Sequence, residues 1–222
     1  MNFESLQAQL SNKHPDRMKV MSQSRALPLT DRFNLMCLAV KDENPRIRYD
    51  AVSQLGTLGT VDPSLTEQIL TTALKEDPEI DVKAAAADSL GALQIQTAFP
   101  LLVETYHNNP DWLLRLSIVA ALGILGVKDA FEVLAEALQS DNDLIKISAI
   151  RALGDLADDR AIPLLTPLKN HPDWQIRHAL AQTLGNFGNQ VESILQELSQ
   201  DPTPQVIESA HNSLNNIATK VS

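Results

Sequence analysis

The segments NPDWLLRLSIVAALGILG (residues 109–126) and HPDWQIRHALAQTLGNFG (residues 171–188) share one pattern. Each has a proline–aspartate breaker, an amphipathic run and a leucine–glycine pair. Proline and aspartate favour the start of a helix, and glycine is common just past a helix end. Each segment therefore predicts one helix that stops at its leucine–glycine pair, and the recurrence of the pattern predicts a repeat protein.

Six amphipathic segments end in a leucine followed by a small or turn residue. The second residues of these pairs are spaced by 35, 32, 31, 31 and 30 residues, at Gly56, Gly91, Gly123, Gly154, Gly185 and Asn215. The residues nine, five and one before each of these positions are apolar. Because offsets of four and eight return to one side of a helix, these residues form a single core-facing stripe.

Another amphipathic run precedes each breaker. Each repeat is therefore predicted to contain two antiparallel helices, a first helix before the breaker and a second helix after it. Stacked pairs of this kind form an all-α fold, an α-solenoid of about six HEAT-like helix pairs. We expect a single repeat domain over residues 1–222 with an N-terminal helical cap. The cap is predicted at 1–28 and the repeats at about 29–58, 59–93, 94–126, 127–157, 158–188 and 189–218.

Composition excludes several classes of function. The net charge is −10, which disfavours nucleic-acid binding because phosphate neutralisation needs clustered lysine and arginine. Only 4% of residues are aromatic and only 8 are glycine, which disfavours β-sandwiches and glycine-rich phosphate loops. Cys37, the single cysteine, excludes an intrachain disulfide and a cysteine-built zinc site, and its apolar surroundings predict a buried thiol.

The sequence shows no signal for secretion, for membrane insertion or for metal binding. The first residues do not resemble a signal peptide, and no apolar run is long enough to span a membrane. We therefore expect a cytoplasmic protein. His171 and His178 are seven residues apart, but no third ligand is apparent, so no metal site is predicted.

The side of each second helix opposite the core carries the candidate functional residues. This side is formed by the positions seven and three residues before each repeat glycine. In the middle repeats these positions are unexpectedly apolar for a side that faces solvent. The predicted groove contains Trp112, Leu116, Ile147, Arg151 and Trp174, with Tyr49 at one end and His178 at the other. The alternative is that tight curvature buries Leu116 and Ile147 between neighbouring helices.

A series of cations stands eight residues before the glycines. It consists of Arg48, Lys83, Arg115, Lys146 and Arg177. The structural interpretation is that each cation bonds the aspartates and carbonyls of inter-helix turns. The functional interpretation is that some of them hold an anionic ligand in the groove.

The repeat resembles the HEAT-like repeats of the phycobilisome lyase family. The resemblance is carried by ENPRIRYDAVSQLG (43–56), LIKISAIRALGDLADDRAIPLL (144–165) and the two segments quoted first, and it covers roughly residues 29–218. That family includes phycobilisome degradation proteins and E- and F-type bilin lyase subunits. The resemblance implies phycobiliproteins such as phycocyanin and allophycocyanin as partners, a linear tetrapyrrole as substrate or ligand rather than a cofactor, and association with phycobilisomes on the cytosolic thylakoid face.

The resemblance also implies roles for the groove. Its apolar residues would cover the bilin body, and the cation series or Arg151 would hold the propionates. His178 would be a general base and Tyr49 an acid or hydrogen-bond donor. Three functions follow: lyase-like detachment of the thioether-linked bilin under nutrient stress, a non-catalytic phycobiliprotein adaptor, or a lyase subunit that attaches the bilin.

Overall fold

The computed structural model describes residues 2–11 and 17–221 of the chain, and every regular element in those residues is a helix. Two helices, α1 (Phe3–Ser11) and α2 (Arg17–Ser24), lie in the stretch predicted as a cap; residues 12–16 of that stretch are outside the described residues. Six helix pairs follow. They are α3 (Leu29–Ala39) with α4 (Pro45–Leu58), α5 (Pro63–Glu76) with α6 (Ile80–Ala92), α7 (Phe99–Asn108) with α8 (Trp112–Leu125), α9 (Phe131–Ala137) with α10 (Asp143–Leu156), α11 (Ile162–Leu165) with α12 (Trp174–Leu184), and α13 (Glu192–Leu198) with α14 (Pro204–Val221). The predicted all-α class and six pairs are confirmed.

Short 3-10 turns directly precede or follow several of the first helices. They are Gln96–Ala98 before α7, Lys128–Ala130 before α9, Asp159–Ala161 before α11, Thr166–Asn170 after α11 and Gly185–Val191 before α13. The chain divides into two compact units, Met1–Ala121 and Leu122–Ser222. The expectation of a single repeat domain stays a prediction.

The breakers start the second helices as predicted. The Asn44 side chain accepts a hydrogen bond from the Arg46 N–H at 3.0 Å, and Asn142 accepts one from Leu144 at 2.9 Å. Asp173 accepts from Gln175 at 2.8 Å. Each side chain satisfies an N–H that the helix itself leaves without a partner. The apolar stripe then faces inward, and every member is buried except Leu214, which is half-buried in the last helix.

The prediction that the leucine–glycine pair ends each helix is wrong for four repeats. Helices α4, α6, α8 and α10 continue beyond these repeat glycines, and of the five only Gly185 directly follows its own helix, α12. The reason is contact with the next second helix. A Cβ added to Gly91 would lie 2.7 Å from the Ala121 Cα, and one added to Gly123 would lie 2.7 Å from the Ala152 Cβ. Glycine is needed there for close approach of two helices, not for a turn.

Each of these five repeat glycines contacts one residue of the next second helix. That residue lies two positions before the glycine or asparagine that ends the pattern in the next repeat. These partners are all small: Ser89, Ala121, Ala152, Thr183 and Ser213. Ser89 also donates its hydroxyl hydrogen bond to the Val52 carbonyl at 3.0 Å, and Ser213 donates to the Ala181 carbonyl at 2.7 Å. The contact between a glycine on one second helix and a small residue on the next therefore sets the register of successive second helices.

Candidate partner-binding face

Two arginines of the cation series make nearly the same set of contacts in different units. Arg48 donates from Nε and Nη2 to Asp77 at 2.7 and 2.9 Å, and from Nη1 to the Asp42 carbonyl at 3.0 Å. Arg177 donates to Asp201 at 2.6 and 3.0 Å and to the His171 carbonyl at 2.7 Å. In both cases one guanidinium joins the turn of its own repeat to the turn of the next.

The other members of the series also point to turns or to the start of a helix. Lys83 donates to the Lys75 carbonyl at 2.7 Å, and Arg115 donates to the Asn109 carbonyl at 2.7 Å. Lys146 lies 3.7 Å from the Asp143 carboxylate in the first turn of α10. The structural interpretation accounts for these contacts. Arg151, which is exposed on α10, is the predicted groove cation that lies outside the series.

The predicted face is accessible in each unit. In the first unit, Tyr49 is 47% and Trp112 49% exposed, and Leu116 is half-buried. In the second unit, Trp174 is 40% exposed, and Ile147 is half-buried. The prediction that Leu116 and Ile147 keep solvent access is confirmed, so curvature does not bury them between repeats.

Trp174 and His178 form the best-defined aromatic contact on the second unit's face. They lie one turn apart on α12, with ring centroids 6.0 Å apart and planes inclined by 61°. His178 is half-buried. An edge-to-face contact of this kind restricts the imidazole while leaving part of the side chain in contact with solvent.

Tyr49 lines a cavity of about 640 Å³ between α2, α4 and α6. Met18 and Val82 contribute apolar surface, and Arg46 and Asp81 contribute charge. Helical periodicity could not place Met18, because α2 lies outside the repeat pattern. Its signal in the sequence is an apolar residue within a polar helix, and the structure leaves it 45% exposed.

The Cys37 thiol, which the sequence predicts to be buried, is only half-buried in the structure. Burial raises the pKa of the half-buried Cys37 thiol, with the negative charge of Asp62 adding to the effect, so the thiolate form is disfavoured. No group of three or more histidine, cysteine, aspartate or glutamate side chains in residues 2–11 and 17–221 is arranged to hold a metal ion. Across the same part of the chain, none of the helices combines the length and apolarity of a membrane span.

Comparison with known families rests on the repeats themselves. Residues 67–149 and 139–215 match HEAT repeats and together span more than half of the chain. The chain belongs to the HEAT-repeat family. No curated protein sequence matches this HEAT-repeat protein significantly.

Several solved structures share the fold. The complex of CpcE and CpcF of phycocyanin lyase from Nostoc sp. PCC7120 is similar with a TM-score of 0.66 and 20% identity, over 83% of this chain and 76% of that one. The Escherichia coli protein YibA has a TM-score of 0.62 and 17% identity, over 95% and 85% of the two chains. The HEAT-like repeats protein of the archaeon Thermococcus onnurineus NA1 has a TM-score of 0.57 and 14% identity, over 100% and 99%. Identities this low establish the solenoid fold alone.

Proposed function

We propose that this HEAT-repeat protein is a phycobilisome degradation factor, resembling the cyanobacterial protein NblB, that binds phycobiliproteins and promotes bilin detachment. The observation that carries the proposal is the accessible apolar face of the second helices. Supporting it are the sequence resemblance to the phycobilisome lyase family and the similarity in fold to the CpcE–CpcF phycocyanin lyase complex. Exposed aromatic side chains are typical anchors of protein and ligand interfaces.

Detachment reverses the addition of a cysteine thiol to the bilin. A base removes a proton from the carbon next to the thioether-bearing carbon, the C–S bond breaks, and the electron pair leaves with sulfur as thiolate. His178 is the proposed base, because its imidazole is partly accessible and is oriented by Trp174. Tyr49, on the first unit, is the proposed hydrogen-bond donor to bound bilin or partner.

Two other functions remain alternatives to detachment. A phycobiliprotein-binding adaptor would use the same face without any chemistry. A lyase subunit would run the addition in the forward direction, and the fold similarity to a lyase complex favours this alternative. In either case the apolar residues of this face would still bind the partner; they are Trp112, Leu116, Ile147 and Trp174.

Incubation with purified phycocyanin separates the three functions. Detachment predicts loss of visible absorbance with bilin in the low-molecular-weight fraction. An adaptor predicts co-elution with phycocyanin and an unchanged spectrum. A lyase subunit predicts gain of fluorescence when free bilin and apo-phycocyanin are supplied together. Absence of both binding and spectral change would contradict all three.

A further inference from the structure

The cavity between α2, α4 and α6 lies within the first unit and has an apolar lining at its base. Its volume of about 640 Å³ is in the range of roughly 300–1,000 Å³ that is usual for small-molecule sites. Val82 is 1% exposed, while Met18 and Tyr49 keep nearly half of their surface accessible beside it. Such a lining suits a flat ligand with a large apolar body.

Two arginines reach this cavity from different parts of the chain. Arg25 directly follows α2, and its Nη2 lies 3.9 Å from the Asp50 carboxylate, a loose contact that leaves most of its N–H donors available. Arg46 lies in the first turn of α4, and its guanidinium forms no hydrogen bond or ion pair with any described residue. Because the start of a helix disfavours a cation, the stability of α4 does not explain Arg46. Both cations are therefore available to the carboxylates of a ligand.

The third helix contributes two carboxylates to the same cavity. Glu79 is the N-cap residue of α6, and Asp81 lies in the first turn of that helix. The Glu79 side chain makes no capping hydrogen bond, whereas Asn44 and Asn142 cap α4 and α10. The start of a helix stabilises negative charge, and an ionised carboxylate is a strong hydrogen-bond acceptor. The cavity thus offers acceptors on α6 in addition to the donors of the two arginines.

We infer that this cavity binds the linear tetrapyrrole, with Arg25 and Arg46 donating hydrogen bonds to its two propionates. The inference rests on the proposed function, which supplies the identity of the ligand. The carboxylates of α6 accept hydrogen bonds from the pyrrole N–H groups, and the apolar lining packs against the conjugated body. A ligand with carboxylates alone would bring like charges together at α6, whereas the tetrapyrrole has N–H donors to place there.

The test is titration of free phycocyanobilin into the full chain, followed by the visible absorbance of the bilin. Arg46→Ala should weaken binding about 10-fold or more, because a hydrogen bond between two charged groups is lost. Lys19→Ala is the matched control and should bind like the wild type. It removes the same charge from an exposed residue of α2 that follows Met18 but does not line the cavity. Circular dichroism of both variants confirms that they are folded.

A second titration isolates the contact between Arg46 and a propionate. The dimethyl ester of phycocyanobilin lacks both negative charges and keeps the conjugated body. It should bind the wild type more weakly than the free acid does, and Arg46→Ala should not weaken its binding further. An equal loss of affinity for acid and ester in Arg46→Ala would overturn this pairing.

The outcomes separate this inference from the proposed function. Equal binding of the free acid by wild type and Arg46→Ala overturns the site, whether or not the wild type bleaches phycocyanin. Failure of the wild type to bind free phycocyanobilin also overturns it. Bilin binding that depends on Arg46, without any bleaching of phycocyanin, supports the inference while contradicting detachment.

Discussion

Arg48 and Asp77, 29 residues apart in the sequence, form a two-point ion pair with Nε 2.7 Å from Oδ2 and Nη2 2.9 Å from Oδ1. Their side chains are only 12% and 9% exposed. The arrangement recurs in the second unit between Arg177 and Asp201, which are 24 residues apart. An arginine of one repeat therefore holds the turn of the next repeat in both units.

Arg48→Ala should lower the free energy of unfolding by about 3 kcal/mol, because it leaves the largely buried Asp77 carboxylate without its counter-ion and with only the Glu79 N–H as a donor. Arg48→Lys should recover part of this loss, since it keeps the charge but not the two-point geometry. Urea denaturation followed by circular dichroism measures both effects. Arg46→Ala, at an exposed residue two positions earlier, is the control, and an equal loss there would contradict the account.

The same pairs predict a dependence of stability on pH. The hydrogen bond from Arg177 holds the pKa of Asp201 below its ordinary value of 3.8. A carboxylate with a depressed pKa in the folded state contributes stability above its unfolded pKa and loses it as the pH falls through the folded pKa. The difference in stability between wild type and Arg177→Gln should therefore be full at pH 7 and shrink below about pH 4. A difference that is unchanged at pH 3 would exclude this ion pair as its source.

Gly91→Ala should destabilise the fold by about 1–3 kcal/mol through overpacking. The new Cβ would lie 2.7 Å from the Ala121 Cα, and a backbone atom cannot move aside as a flexible side chain can. Thermal unfolding provides the measurement. Gln68→Ala, at an exposed position of α5, should change stability by less than about 0.5 kcal/mol. Equal stability of Gly91→Ala and wild type would mean that close helix approach does not set the register.

These examples show how far the sequence predicts the fold. Periodicity alone places six helix pairs, because each second helix needs one apolar stripe at offsets of four and eight. The sequence wrongly predicts that these glycines stop helices, because glycine suits both turns and close helix approach and only the packing distinguishes the two. The small partners, such as Ala121 and Ala152, were visible in the sequence two residues before the next glycine. They are the signal that could have corrected the assignment.

The candidate site was less predictable for a different reason. Accessibility of Leu116 and Ile147 followed from the helical wheel, and the turn contacts of Arg48 followed from the aspartates in the breakers. The cavity beside Tyr49 depends on Met18 of α2, whose packing no repeat pattern specifies.

His178→Ala tests the proposed base. Detachment of bilin from phycocyanin should fall roughly 100-fold, the usual contribution of a positioned acid or base, while phycocyanin binding is retained. The rate is followed by visible absorbance and the binding by co-elution. His211→Ala, at an exposed histidine of α14, is the control. A wild-type rate for His178→Ala would show that His178 is not the base.

The most direct test of detachment is a count of phycocyanin thiols against released bilin. Elimination frees one cysteine thiol for each bilin that leaves, because the C–S bond breaks with its electron pair on sulfur. If the protein detaches bilin, free thiols, titrated with a disulfide reagent after denaturation, should rise in a one-to-one ratio with bilin in the filtrate. Bleaching without new thiols, or with the bilin still attached to the polypeptide, would contradict detachment as the activity of this protein.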